Sequence, residues 1–210
     1  MSYSQSRKAI ALSLTPIKTP SQSRSILTVE AILEGAAQIL ERNGLEGYTT
    51  NEIAERAGVS IGSLYQYFPS KDAVTIALIE RESATLVDEV KAALLIPDFR
   101  QALCAMIETA VRHQLQRPKL SRLLDFEESR LSSFMPISRN TLAVHAAIVD
   151  FLSRNSDLNI ENPDVTATDM MAITCALTDT AGRREEMNSL ELEHCIEGAL
   201  LGYLRSSSEK

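Results

Sequence analysis

Residues 49–68 spell out two short helices joined by a glycine turn, and this pattern constrains the fold more than any other feature of the chain. Thr49-Thr50-Asn51-Glu52 reads as a capping box, with Thr49 as the cap and Glu52 reaching back from three residues on. The helix it opens turns Ile53, Ala54 and Ala57 inward. Gly58-Val59 makes a tight turn, and Gly58 supplies a backbone conformation that other residues reach only with strain. Ser60 then caps a second short helix with Leu64 and Phe68 on one face, and Pro69 ends it. Two helices so joined form a helix-turn-helix, whose second helix is shaped to enter the major groove of DNA.

The remainder is also patterned for helices. Ile32, Ala36, Ile39 and Leu40 fall on one stripe that Asn43-Gly44 terminates. Ser70 opens a long helix expected to run to about Leu94, and further helices are expected near 98–115, 119–131, 139–153, 165–181 and 189–205. No strand-like alternation occurs. The expected fold is all-α: an arm over 1–27 rich in Ser, Thr and Pro, a three-helix head over 28–75, and a helical effector and dimerisation domain over 76–207. With aromatics at 5% and no Trp, the core must be mostly aliphatic.

From Tyr48 to Lys71 the sequence reads YTTNEIAERAGVSIGSLYQYFPSK. This stretch resembles the DNA-binding signature of the TetR (tetracycline-repressor) family: its AGVS, its Leu-Tyr-x-x-Phe and the following Ser-Lys match residue by residue, and the resemblance covers about 28–75. It implies a homodimeric repressor that binds palindromic operator DNA and is released by a small molecule bound in a variable helical domain. Carried onto this chain, Ser60, Ile61, Gly62, Ser63, Tyr65, Gln66 and Tyr67 line the DNA surface, and Thr49 and Lys71 contact phosphates. The resemblance also puts a four-helix dimer interface on the last two helices, at Ala172, Ala176, Ile196, Gly198, Ala199 and Gly202. Gly198 and Gly202 suit a close helix crossing, either between subunits or within one.

The charge distribution is uneven. Formal net charge is −7, which alone does not point to nucleic acid. Arg7, Lys8, Lys18 and Arg24 stand in the arm without an acidic residue, whereas residues 28–74 hold three basic residues against seven acidic ones. The arm is therefore expected to supply non-specific attraction to DNA. The second short helix has no Arg or Lys, so its readout must be neutral. Gln suits adenine, Ser either base type, and Ile a thymine methyl.

Signals for a ligand site are weaker. Met106 and His113 share an apolar stripe, as do His145 and its neighbours Leu142 and Val149. Glu127 and Glu128 continue a stripe from Leu120 and Leu124, and Met170 suits an adaptable apolar cavity. Buried polar groups need partners, so these residues either orient a small-molecule effector or bond their own neighbours. No metal-ligand spacing, cofactor motif or activated nucleophile is present, and no catalytic residue is expected. Cys104, Cys175 and Cys195 are odd in number and widely spaced, as in a reducing cytoplasm, and their apolar neighbours suggest buried, inert thiols. Ala9–Leu14 is too short for a membrane span or a signal-peptide core. Two other readings are an effector-independent DNA-binding scaffold or activator, and an enzyme on a helical scaffold, for which a convergent acid–base site would be needed.

Overall fold

The computed structural model describes residues 23–132, 138–184 and 188–208. Its helices are α1 (Ser23–Asn43), α2 (Thr50–Arg56), α3 (Ile61–Tyr67), α4 (Lys71–Leu94), α5 (Phe99–Gln116), α6 (Pro118–Ser132), α7 (Arg139–Arg154), α8 (Pro163–Arg184) and α9 (Ser189–Ser208), with a 3-10 turn at Ser156–Leu158. No strand occurs among the described residues. The all-helical expectation therefore holds. The helix starting α1 reaches back past Thr28 to Ser23. Its extra turn leaves Ile26 47% and Leu27 70% exposed, so no buried stripe announces it. Most of the basic arm, including Arg7, Lys8 and Lys18, lies outside the described residues.

The described chain forms two compact units. One comprises residues 23–82 with 119–132, the other 83–118 with 138–184 and 188–208. In the first, Ile32, Ala36, Leu40, Ile53, Leu64, Phe68, Val74 and Leu78 form a core that also takes Leu120 and Leu124 of α6. In the second, Leu103, Ile107, Ile148, Leu152, Met170, Ile196, Leu200 and Leu204 pack together, and the rings of Phe99 and Phe151 stack at 5.1 Å. Packing thus groups α6 with the helix-turn-helix, although it follows the first part of the second unit in sequence.

Both helix-ending glycines act as the sequence suggests. Gly44 (φ +65°) ends α1 with its N–H donated to the Leu40 carbonyl at 3.0 Å. After α2, Gly58 (φ +68°) donates to Glu55 and Val59 to Ala54, the paired bonds of a Schellman ending.

The cysteine expectation needs correction: Cys104, Cys175 and Cys195 are all exposed. Leu103 and Ile196, beside Cys104 and Cys195, turn to the core while those thiols face away from it, and Cys175 stands beside the exposed Ala176. Partial desolvation, and then the carboxylate of Glu197, push the Cys104 thiol above its ordinary pKa, which disfavours the reactive thiolate.

Candidate nucleic-acid interface

The helix-turn-helix is built by its caps and held by its anchors. Thr49 Oγ1 accepts the Glu52 N–H at 3.2 Å, and Ser60 Oγ accepts the Ser63 N–H at 3.0 Å. The return half of the capping box is replaced, because the Thr49 N–H donates to the Gly47 carbonyl at 3.1 Å. Leu64 and Phe68 are buried against Ile53 and the α1 stripe, which fixes the face that α3 presents.

On that presented face Ser60, Ile61, Gly62, Tyr65 and Gln66 are exposed, with Ser63 and Tyr67 half-buried beside them. All seven expected residues of the recognition helix therefore lie in one stretch of surface or at its margin. Thr49 is exposed at the start of α2, and Lys71 is half-buried in the first turn of α4. The Lys71 ammonium sits 5.4 Å from the centre of the Tyr48 ring, a cation–π contact that fixes its position.

Several contacts of this surface have no clear sequence signal. The Thr50 and Tyr65 hydroxyls lie 3.2 Å apart, which ties the recognition helix to its predecessor. The Ser60 and Ser63 hydroxyls lie 2.8 Å apart. Tyr48 is buried, and its hydroxyl lies 3.1 Å from that of Thr75, which itself donates to the Lys71 carbonyl at 3.0 Å. Burial is the main cause that pushes the Tyr48 phenol well above the ordinary tyrosine range, so it stays protonated. Gly35, which the sequence pattern does not single out, is required by packing: a Cβ there would press on the Ala57 N and Cβ and the Ile53 carbonyl at 3.1–3.3 Å. The close crossing of α1 over α2 thus depends on glycine in α1 as much as on the alanines of α2.

The cations of this unit are partly engaged. Arg81 meets Glu34 at 3.2 Å and also Glu82 and Glu30, while Arg56 Nε donates to Gln38 at 2.6 Å. Arg130 binds Glu127 and Asp72, and the bond to Glu127 first, then that to Asp72, pushes its guanidinium still further above its ordinary pKa.

The matching family is described as bacterial regulatory proteins, tetR family, and its model fits residues 32–78. The HTH-type transcriptional activator FasR of Mycolicibacterium smegmatis is 31% identical over 148 residues, 68% of this chain and 67% of FasR. This chain belongs to the TetR family. It is a helix-turn-helix DNA-binding transcriptional regulator. The nucleoid occlusion factor SlmA of Glaesserella parasuis is also 31% identical, over 45% of this chain, which spans about half, 51%, of that relative's length. Among solved structures, the fatty acid degradation regulator FadR from Bacillus halodurans superposes with a TM-score of 0.72 at 16% identity, covering 88% of this chain and 96% of FadR. At that identity the likeness speaks for the fold alone.

Elsewhere in this TetR regulator the candidate ligand residues separate. Met106, His113, His145 and Met170 belong to the second unit, Glu127 and Glu128 to the first. Glu127 is buried and bound to Arg130 at 2.7 Å, so its stripe position reflects an internal ion pair. His145 Nε2 lies 3.1 Å from the Asp164 carbonyl and 3.2 Å from Thr168 Oγ1, which bonds it to its own neighbours. The buried Thr174 and Thr178 hydroxyls donate back to carbonyls of α8 at 2.9 Å. Among the described residues no buried side-chain nitrogen or oxygen lacks a partner. Met106 and Met170 are core residues of the second unit.

The expected dimer residues also need one correction. Ala172, Ala176, Gly198 and Gly202 are exposed and Ala199 half-buried, but Ile196 is fully buried in its own subunit. Residues two apart on a helix point about 200° apart. Ile196 and Gly198 therefore cannot share a face.

Among the described residues no helix is long and apolar enough to cross a membrane, and no group of three or more His, Cys, Asp and Glu converges.

Proposed function

We propose that this regulator is a homodimer that binds a palindromic operator through α3 and represses transcription until a small apolar or amphipathic molecule binds its second unit. It works in the cytoplasm, without catalysis or a resident cofactor. The observation that carries the reading is the recognition surface: Ser60 to Tyr67 presented outward on a helix anchored by Leu64 and Phe68. Gln66 and Ser63 contribute base choice, whereas Thr49, Tyr67 and Lys71 contribute affinity through phosphates, which carry no base identity. The basic arm adds sequence-independent attraction.

The roles of Gln66 and Lys71 are separable by binding-site selection. Gln66→Ala should relax preference at one position of each half-site, on the order of 1–3 kcal/mol of discrimination. Lys71→Ala should weaken all sites alike. A selected motif that survives Gln66→Ala but changes with Lys71→Ala would reverse the assignment.

For the effector, apolar and amphipathic compounds are screened by thermal shift, and binders are then titrated into the protein–operator complex. A repressor's effector lowers operator affinity by as much as it prefers the DNA-incompetent state, commonly by about 5–150-fold. A screen whose binders all leave operator affinity unchanged would favour an effector-independent regulator. Activation is the second reading, favoured because FasR, a relative matched over two-thirds of its length, is named an activator. A reporter whose output falls when this regulator is removed would select it.

A further inference from the structure

Gly62 stands where nothing among the described residues calls for glycine. Its φ is not positive, unlike those of Gly44 and Gly58. Among the described residues a Cβ built on it would meet only Ser60 Oγ, at an ordinary 3.8 Å. Gly35, by contrast, is demanded by the chain's own packing. Glycine forms helices less well than alanine, so a helical glycine without an internal reason points to an external one. At Gly62 that reason is a surface approached by backbone more closely than a methyl group allows.

The neighbouring side chains say which surface. With Leu64 and Phe68 turned inward, the exposed arc of α3 runs through Ile61, Tyr65, Gly62 and Gln66, with Gly62 between the residues that flank it. Ile61 is 38% and Tyr65 46% exposed. The arc holds no Arg or Lys, the side chains that most often read guanine. Ser63 pairs its hydroxyl with that of Ser60, and Tyr65 with that of Thr50; each hydroxyl can still bond a base edge but suits either base type, so neither names a base. The remaining readers are the apolar flank of Ile61, which complements a thymine methyl, and the amide of Gln66, which complements adenine N6 and N7.

We propose that the backbone at Gly62 seats against base edges in the major groove and that the base pairs flanking it are A·T, with Ile61 on a thymine methyl and Gln66 on an adenine. The inference rests on operator binding by α3 and names the bases which that reading leaves open.

The test uses the full chain. A motif is selected from random duplexes. Single thymines are then replaced by uracil, which lacks only the methyl, and single adenines by 7-deazaadenine, which lacks N7. Uracil at the Ile61 position should weaken binding about fourfold per half-site, the effect of one buried methyl. Ile61→Ala should bind more weakly and no longer sense that replacement. The deaza base should cost about tenfold, and Gln66→Ala should be blind to it. Gly62→Ala should keep or raise the thermal midpoint yet lose at least about tenfold in operator affinity. G·C pairs beneath these residues, an Ile61→Ala variant that still senses uracil, or a Gly62→Ala variant that binds like the parent would each overturn the proposal. Enrichment of no sequence at all would instead overturn operator binding, and this inference with it.

Discussion

If the proposed dimer forms through this face, replacing Gly198 and Gly202 together by Leu should convert it into a folded monomer and weaken operator binding by about 10²- to 10⁴-fold, the usual advantage of two linked heads over one. The two glycines lie 40° apart on α9, on an exposed face, and a Cβ at either would meet nothing within 4 Å. Neither has a positive φ. The subunit thus gains nothing from them, while each costs about 1 kcal/mol relative to alanine inside a helix. A partner helix crossing closely would recover that cost. Among the described residues none packs closely enough to require these glycines within one subunit, which disfavours the other explanation for them. Ala172 and Ala176 offer a second exposed pair of small residues on α8, which packs against α9. The leucines find room on the monomer, so circular dichroism should report an intact fold while light scattering reports half the mass. A double variant that stays dimeric would move the interface off this face.

The head was readable in the sequence because its chemistry is local. A cap acts over three residues, and Gly44 and Gly58 announce left-handed positions that other residues avoid. What the sequence could not reveal is which core an apolar stripe faces. Leu120 and Leu124 of α6 pack with the head, although the chain reaches α6 by way of the second unit. The stripe containing Glu127 looked like a ligand site for the same reason: periodicity places a carboxylate toward an interior but does not name its partner, which is Arg130. His145 repeats the lesson with Asp164 and Thr168. Ile196 is a different kind of miss. Its apolar character drew it into the small-residue run, although the helical phase alone puts it opposite Gly198. Gly62 was named as a surface residue. Its significance emerged only once the space around its Cα was known.

Phe68→Ala should destabilise the head selectively and strongly weaken sequence-specific binding. Phe68 is 1% exposed and ends α3, its N–H donating to the Leu64 carbonyl at 2.9 Å while its ring packs in the core of Ile53, Leu64 and Val74. Truncating such a buried ring costs about 3–5 kcal/mol, a large fraction of the 5–15 kcal/mol that holds a typical domain together. The seven residues of α3 cannot compensate, since isolated helices shorter than about 12 residues are marginal in water. With urea slopes of about 1–3 kcal/mol per molar, the head's unfolding midpoint should fall by roughly 1–5 M. The second unit has its own core around Leu103, Ile148 and Ile196 and should unfold as in the parent, so one unfolding transition separates into two. Phe68→Leu, which keeps most of the apolar volume, should restore both midpoint and binding in large part. Exposed Gln66→Ala serves as the contrast, leaving stability within about 0.5 kcal/mol while altering base choice. If Phe68→Ala unfolds with the parent's midpoint and still selects the parent's motif, α3 is oriented by something other than its buried anchors, and the recognition face deduced from them is wrong.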